Sequence, residues 1–224
     1  MTAFEVHGFT TTRADGDFGI ERPAAELASR RRAVADLPWA WVRQVHGPDV
    51  VVVTHDTLDE VRGEPADALV TNEPDLVLAI QTADCAPVRF ESAQGVIGVA
   101  HAGWGGLEQG VLERTVEAMR ALGATDLSAR LGPCIHVECY EFGAADLDRL
   151  AARFGDEVRG RTSSGTDGFD LPRAVRVAVG RLGLALTDES TCTACGAASY
   201  YSHRARAEPQ RMATVAWTTR APAP

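Results

Sequence analysis

Ala86-Pro-Val-Arg-Phe-Glu-Ser-Ala-Gln-Gly-Val-Ile-Gly-Val-Ala-His-Ala-Gly-Trp-Gly-Gly106 carries two apolar runs, 86–90 and 96–100, separated by a Glu-Ser-Ala-Gln-Gly turn. That pattern predicts a β-hairpin. The second run ends on His101 and Trp104 among small residues, where a helical pattern begins: Leu107, Val111, Thr115, Met119 and Leu122 recur at three- and four-residue steps. The spacing predicts one amphipathic helix, ended by Gly123. With the hairpin loop centred on Ala93, Phe90 faces Val96 and Ala86 faces Ala100. One further step sets Cys85 opposite His101. Directly opposed side chains have Cβ atoms about 4.5–5.5 Å apart, close enough for a shared metal or a thiol–imidazole pair.

Outward from the hairpin, 26–37 reads as a helix stopped by Pro38, and 39–45, 49–54, 68–71 and 76–80 read as strands bounded by Pro and Gly signals. Further on, 144–154 and 171–183 read as helices, 155–170 as a Gly/Ser/Thr/Asp-rich loop, and 197–202 and 212–218 as closing strands. Strands first, then strands mixed with helices, predict an α+β fold. With no internal repeat, one domain over 1–224 is expected.

Composition narrows the function. The net charge of −9 argues against a protein built to grip nucleic acid, which needs basic patches. All 22 basic residues are arginine, so there is no lysine for a Schiff base, a pyridoxal-phosphate anchor or a phosphate-binding P-loop. Neither a secretory leader nor a run of about 20 apolar residues is evident, so a cytoplasmic protein without a membrane partner is expected. Five cysteines do not suit a disulfide framework; in a reducing compartment they are buried, ligating or reactive.

A third candidate joins Cys85 and His101: His46, in Gln44-Val-His-Gly-Pro48, again at a strand-to-turn junction. The three lie too far apart in sequence to match a short metal motif. Two imidazoles and one thiolate nevertheless form a three-ligand set with a fourth position free, the composition of a catalytic zinc site. Asp84 precedes the cysteine where the chain leaves an apolar strand. Other chemistries are open. Cys85 as nucleophile with His101 as base would make a cysteine hydrolase. Copper also takes Cys and His, although six histidines are too few for a multicopper centre. Cys192-Thr-Ala-Cys195 is a C-x-x-C that suits burial, a redox pair or half of a metal site. His136-Val-Glu138 is an H-x-E, but the C-x-x-C lacks the preceding proline of the zinc deaminase signature.

In order, Gln44-Val-His-Gly47, Ala66-Asp-Ala-Leu-Val-Thr71, Thr82-Ala-Asp-Cys-Ala-Pro-Val88, Ala100-His-Ala-Gly-Trp104, Leu131-Gly-Pro-Cys-Ile135, Cys139-Tyr-Glu-Phe-Gly143, Cys192-Thr193 and Tyr201-Ser-His-Arg204 resemble the YfiH family of polyphenol-oxidase-like, or laccase-domain, proteins. The resemblance implies a fold of mixed sheets sandwiched between helices, like the catalytic domain of a bacterial deamidating toxin. It implies zinc on His46, Cys85 and His101. It also implies phosphorolysis of adenosine, inosine, guanosine or methylthioadenosine, with adenosine deamination beside it. Tyr140 and Glu141 are then expected to line the nucleoside pocket, with Arg204 and Arg211 as candidates for phosphate. The chain departs from the family pattern at Gly105 and His203, where arginine is usual. The oligomeric state stays open.

Overall fold

The computed structural model describes residues 4–220; the first three and last four residues of the expected domain lie outside that range. The fold is α+β, with two mixed sheets packed face to face and helices on the outside.

The larger sheet has the order β11 (Ala185–Asp188), β8 (Leu127–Leu131), β6 (Ala86–Ser92), β7 (Ile97–Ala102), β4 (Ala68–Thr71), β3 (Val50–Val52). The smaller has the order β1 (Phe4–Thr10), β12 (Met212–Arg220), β5 (Val77–Thr82), β2 (Trp39–Trp41). Between them lie Leu69, Ile97 and Val99 from one sheet and Leu78 and Ile80 from the other, all buried. The opposite face of the larger sheet, with Val70, Val88 and Phe90, packs on α4 (Val111–Ala121), α5 (Ala144–Phe154) and α6 (Leu171–Arg181). On the outer face of the smaller sheet, Val77, Ala79 and Val215 pack with Phe18, Trp39 and Val34 of α1 (Ala24–Val34). Both faces of the central strands are covered. They therefore read as continuous apolar runs rather than alternating ones.

The hairpin forms, but its register differs from expectation by two residues: Pro87 faces His101, Ala86 faces Ala102 and Phe90 faces Gly98. The loop is shorter than the expected turn. Ser92 and Val96 pair directly, and Gly95, at φ +81, closes a three-residue link. A two-residue shift preserves the facing of every side chain, so Cys85 and His101 stay on one side.

The helix expected from 107 onward is two helices, α3 (Trp104–Gln109) and α4, split at Gly110, whose φ of +90 no helix accommodates. The segment 155–170 is not merely a loop: a 3-10 turn, Asp156–Val158, leads into a hairpin of β9 (Arg159–Arg161) and β10 (Asp167–Phe169). No strand forms over 197–202. Reverse turns follow Cys192, and Ser202 caps α7 (His203–Arg206) by accepting from Ala205 N. Helix α2 (Leu58–Val61) and strands β1, β8 and β11 went unforeseen. No helix among the described residues is long and apolar enough to cross a membrane.

Candidate metal centre and its cavity

Three segments meet at the open ends of β7, β5 and β2. His101 lies in β7 and is buried at 3% exposure, Cys85 follows β5 and is half-buried, and exposed His46 sits on the turn after β2. Their ligand atoms all lie within 4.8 Å of one another. Cys85 Sγ is 3.8 Å from His46 Nε2, and the two imidazoles meet edge to face at 4.9 Å between centroids.

Asp67, at the start of β4, organises the cluster. Its fully buried carboxylate accepts from the backbone amides of Val45, His46 and Gly47 at 3.1, 3.0 and 2.8 Å. This fixes His46 in the left-handed region at φ +59, a conformation that is uncommon outside glycine and marks functional turns. The same carboxylate accepts from His101 Nδ1 at 2.8 Å. That bond places the ring proton on Nδ1 and leaves Nε2 free to ligate, the carboxylate–histidine arrangement typical of metal sites. A second clamp comes from Gln44, whose side-chain amide donates to Gln81 O and accepts from Gln81 N, both at 2.7 Å. It ties the His46 turn to the strand that delivers Cys85.

Asp84 has φ +98, the bend that turns Cys85 toward the histidines although it lies beyond the paired residues of the hairpin. The bend is held from three sides. Thr193 Oγ1 donates to Oδ1 at 2.6 Å, Arg204 N donates to Oδ2 at 2.6 Å, and Ile135 N donates to the Asp84 carbonyl at 2.8 Å.

The electrostatics follow from this packing. Burial would push the Cys85 thiol up, but the imidazoles of His101 and His46 outweigh it and bring the pKa down to about 6. Burial would lower His101, but the Cys85 thiolate and Asp67 raise it to about 9. For Asp67, burial is outweighed by the bonds from His101 and the turn amides, so its carboxyl is held below its ordinary value.

The cluster also passes a steric test for a bound cation. A Cβ built on Gly103 would fall 2.8 Å from His46 Cδ2, 3.3 Å from Cys85 Sγ and 3.7 Å from His101 Cε1. Only a residue without a side chain leaves this space between three donors open. The donors, a thiol and two imidazoles, suit zinc or another borderline-soft ion.

Beside the cluster opens a cavity of about 540 Å³, within the range of small-molecule sites. Tyr140, Trp104, Arg204 and Arg211 line it together with Cys85, His46 and His101. Tyr140 is buried at 6% exposure, and burial pushes its phenol well above the ordinary value. The Arg204 guanidinium sits 4.8 Å over the Tyr140 ring and donates to the Glu141 carbonyl at 2.8 Å. Glu141 is exposed and faces a neighbouring depression with Cys139 and Phe142, outside the cavity itself. His203 lines the cavity, whereas Gly105 lies beside the His46 carbonyl, 3.3 Å from where its Cβ would be.

The organising roles of Asp67 and Asp84 and of the Gln44 amide were not legible in sequence. A carboxylate directly ahead of the apolar run 68–71 is the one signal for Asp67, since a buried charge requires partners.

Comparison with known proteins now fixes the class. Residues 8–219 match the family described as multi-copper polyphenol oxidoreductase laccase, and the chain belongs to this laccase-like family, in agreement with the motif resemblance. A purine nucleoside phosphorylase of Mycobacterium tuberculosis is 36% identical over 93% of this chain and 90% of its own. Another protein of that name, from Streptomyces griseus, is 35% identical over 87% of this chain and 82% of its own. Among solved structures, YlmD from Geobacillus stearothermophilus superposes with a TM-score of 0.83 at 27% identity, covering 95% of this chain and 91% of that one.

Proposed function

We propose that this chain is a zinc-dependent purine nucleoside phosphorylase, taking adenosine, inosine, guanosine or methylthioadenosine with inorganic phosphate, and deaminating adenosine as a side activity. The observation that carries the reading is the convergence of His46, Cys85 and His101 at the wall of a cavity that also presents two arginines and a buried tyrosine. Relatives named purine nucleoside phosphorylase at 35–36% identity support it.

In this reading His46, Cys85 and His101 hold zinc, which supplies a Lewis acid open to the cavity. Arg204 and Arg211 supply the positive charge that phosphate requires in a chain without lysine. Tyr140 and Trp104 offer aromatic walls to the base and ribose, and the Tyr140 phenol, which burial pushes further above its ordinary value, is protonated and able to donate. Glu141 contributes through its carbonyl, which steers Arg204 over the Tyr140 ring. Phosphate oxygen forms its bond to the ribose anomeric carbon as the glycosidic C–N bond breaks, and the departing purine takes up a proton. Oriented binding of the two reactants accounts for a large part of such an acceleration.

One observation favours a second reading. The lowered Cys85 thiol beside a raised His101 is also the ion pair of a cysteine hydrolase. A copper polyphenol oxidase is less favoured: His7 stacks on Trp217 and His55 bonds the Pro74 carbonyl, so neither joins the cluster.

The test is incubation of purified, metal-analysed protein with adenosine and phosphate, followed by separation of adenine, ribose phosphate and inosine. Phosphate-dependent adenine release that disappears in Cys85→Ala together with one equivalent of zinc supports the reading. Full phosphorolysis by Cys85→Ala that has lost that equivalent overturns it, and rapid alkylation of Cys85 in an active protein with no zinc at this cluster favours the hydrolase.

A further inference from the structure

A second group of donors lies outside the cavity, contributed by two segments distant in sequence. Glu138 and Cys139 come from a 3-10 turn, Val137–Cys139, and Cys192 and Cys195 from the C-x-x-C turn. Their ligand atoms all lie within 4.8 Å of one another. Cys139 Sγ is 3.4 Å from Cys195 Sγ, and Cys195 Sγ is 3.7 Å from Glu138 Oε1. A tetrahedral zinc site with Zn–S bonds of about 2.3 Å has S···S edges of about 3.8 Å. The Cys139–Cys195 and Cys195–Glu138 separations lie near that edge, and no pair of the four atoms is more than 4.8 Å apart.

The backbone around them is fixed. Cys134 and Cys192 form an isolated parallel bridge, with Cys134 N donating to Thr191 O and Thr193 N to Cys134 O. His136 N is 3.5 Å from Cys192 Sγ, an amide-to-sulfur contact that favours thiolate character. The sulfurs of Cys139 and Cys195 and the carboxylate of Glu138 crowd together, at 3.4 and 3.7 Å. A divalent ion relieves that crowding by accepting all the donors at once.

We propose that Glu138, Cys139, Cys192 and Cys195 form a second, structural site for a thiophilic divalent cation of the zinc class. Four protein donors close the coordination sphere, so the ion fastens chain segments and leaves no open position for chemistry. What it fastens adjoins the cavity. Tyr140 follows Cys139 directly, and Thr193, inside the C-x-x-C, bonds Asp84 at the bend that aims Cys85. Arg206 adds to the same clasp by donating to the Ala194 and Thr193 carbonyls.

The test uses the full chain purified under reducing conditions with zinc, then desalted, with metal content measured for the wild type, Cys195→Ser, Cys85→Ala and the double variant. Cys195→Ser is expected to remove one equivalent of zinc in both the wild-type and the Cys85→Ala background. Cobalt loaded into Cys85→Ala is expected to give thiolate-to-cobalt charge-transfer and tetrahedral d–d bands that the double variant lacks. Glu138→Gln, which preserves shape, is expected to weaken zinc retention by about tenfold or more in competition with a chromophoric chelator, so the result does not rest on a cysteine variant that fails to fold. The proposal is overturned if folded Cys85→Ala holds no zinc and shows no cobalt–thiolate band. It is overturned equally if Cys139 and Cys195 are recovered as a disulfide, two hydrogens lighter, in the active protein.

Discussion

His101 Nδ1 and Asp67 Oδ1 lie 2.8 Å apart, and the same buried carboxylate receives the three amides of the turn that carries His46. One side chain therefore sets both the tautomer of one imidazole and the backbone position of another. Asp67→Asn substitutes an amide that cannot accept all four donors. If the proposed zinc sits on His46, Cys85 and His101, its affinity is expected to fall about 10–100-fold, as for other outer partners of ligating histidines. Chelator competition measures this, and unchanged affinity would remove Asp67 from its organising role.

Gly103 tests the cradle itself. Its φ of −67 is open to alanine, so any effect of Gly103→Ala comes from the Cβ wedged 2.8 Å from His46. Expected are a stability loss of about 1–3 kcal/mol from overpacking and a larger loss of bound zinc. Thermal melts and metal analysis separate the two, and zinc retention at the wild-type level would contradict the geometry.

Alkylation of metal-free protein reads the cysteine directly. The Cys85 pKa of about 6 lies below the ordinary thiol value, so thiolate appears as pH rises through about 6 while His101 stays protonated to about 9. Iodoacetamide labelling of Cys85, followed by peptide mapping, is expected to reach half its maximal rate near pH 6 and to stop when zinc is restored. A midpoint near the ordinary thiol value of about 8.5 would show that the imidazoles do not act on the sulfur.

Under the proposed phosphorylase reading, Arg211 is the residue that separates phosphate from nucleoside. Both arginines line the cavity, but Arg204 also covers Tyr140, whereas the Arg211 guanidinium bonds only the carbonyls of Glu208 and Gln210 among the described residues. Arg211→Ala is expected to raise the KM for phosphate about tenfold or more, the worth of one charge-assisted bond, with a smaller change in the KM for nucleoside. The reverse ranking would move the phosphate elsewhere.

Glu208, which bonds Arg13 and Arg206, is expected to contribute to acid stability. Burial would raise its carboxyl, but bonds from Arg13, Ser202 N and Arg206 hold it at about 2. The folded value lies below the unfolded one, so this stabilisation is complete above about pH 4.5 and is lost as pH falls through about 2. Glu208→Gln should flatten that acid limb in pH-dependent denaturant melts. An unaltered limb would assign acid unfolding to other carboxylates.

The helices at 144–154 and 171–181 were legible because their apolar stripes and caps are local. Asp170 accepts from Arg173 N with Pro172 just inside, and Gly155 ends the other. Strand β11 was not legible, since its exposed Ala185, Thr187 and Asp188 show no buried face and are ordered by parallel pairing with β8. The hairpin register was missed by two because the turn is made by backbone pairing of Ser92 and Val96, which composition does not reveal.

By itself, the sequence determined the α+β class and the covered central strands and named His46, Cys85 and His101 as candidate donors, because burial pattern and ligand chemistry belong to residue types. Tertiary structure decided how they meet. The left-handed turns at His46 and Asp84, the shared carboxylate of Asp67 and the empty space over Gly103 bring residues from three separate segments within 4.8 Å, through contacts between parts of the chain that no local pattern connects.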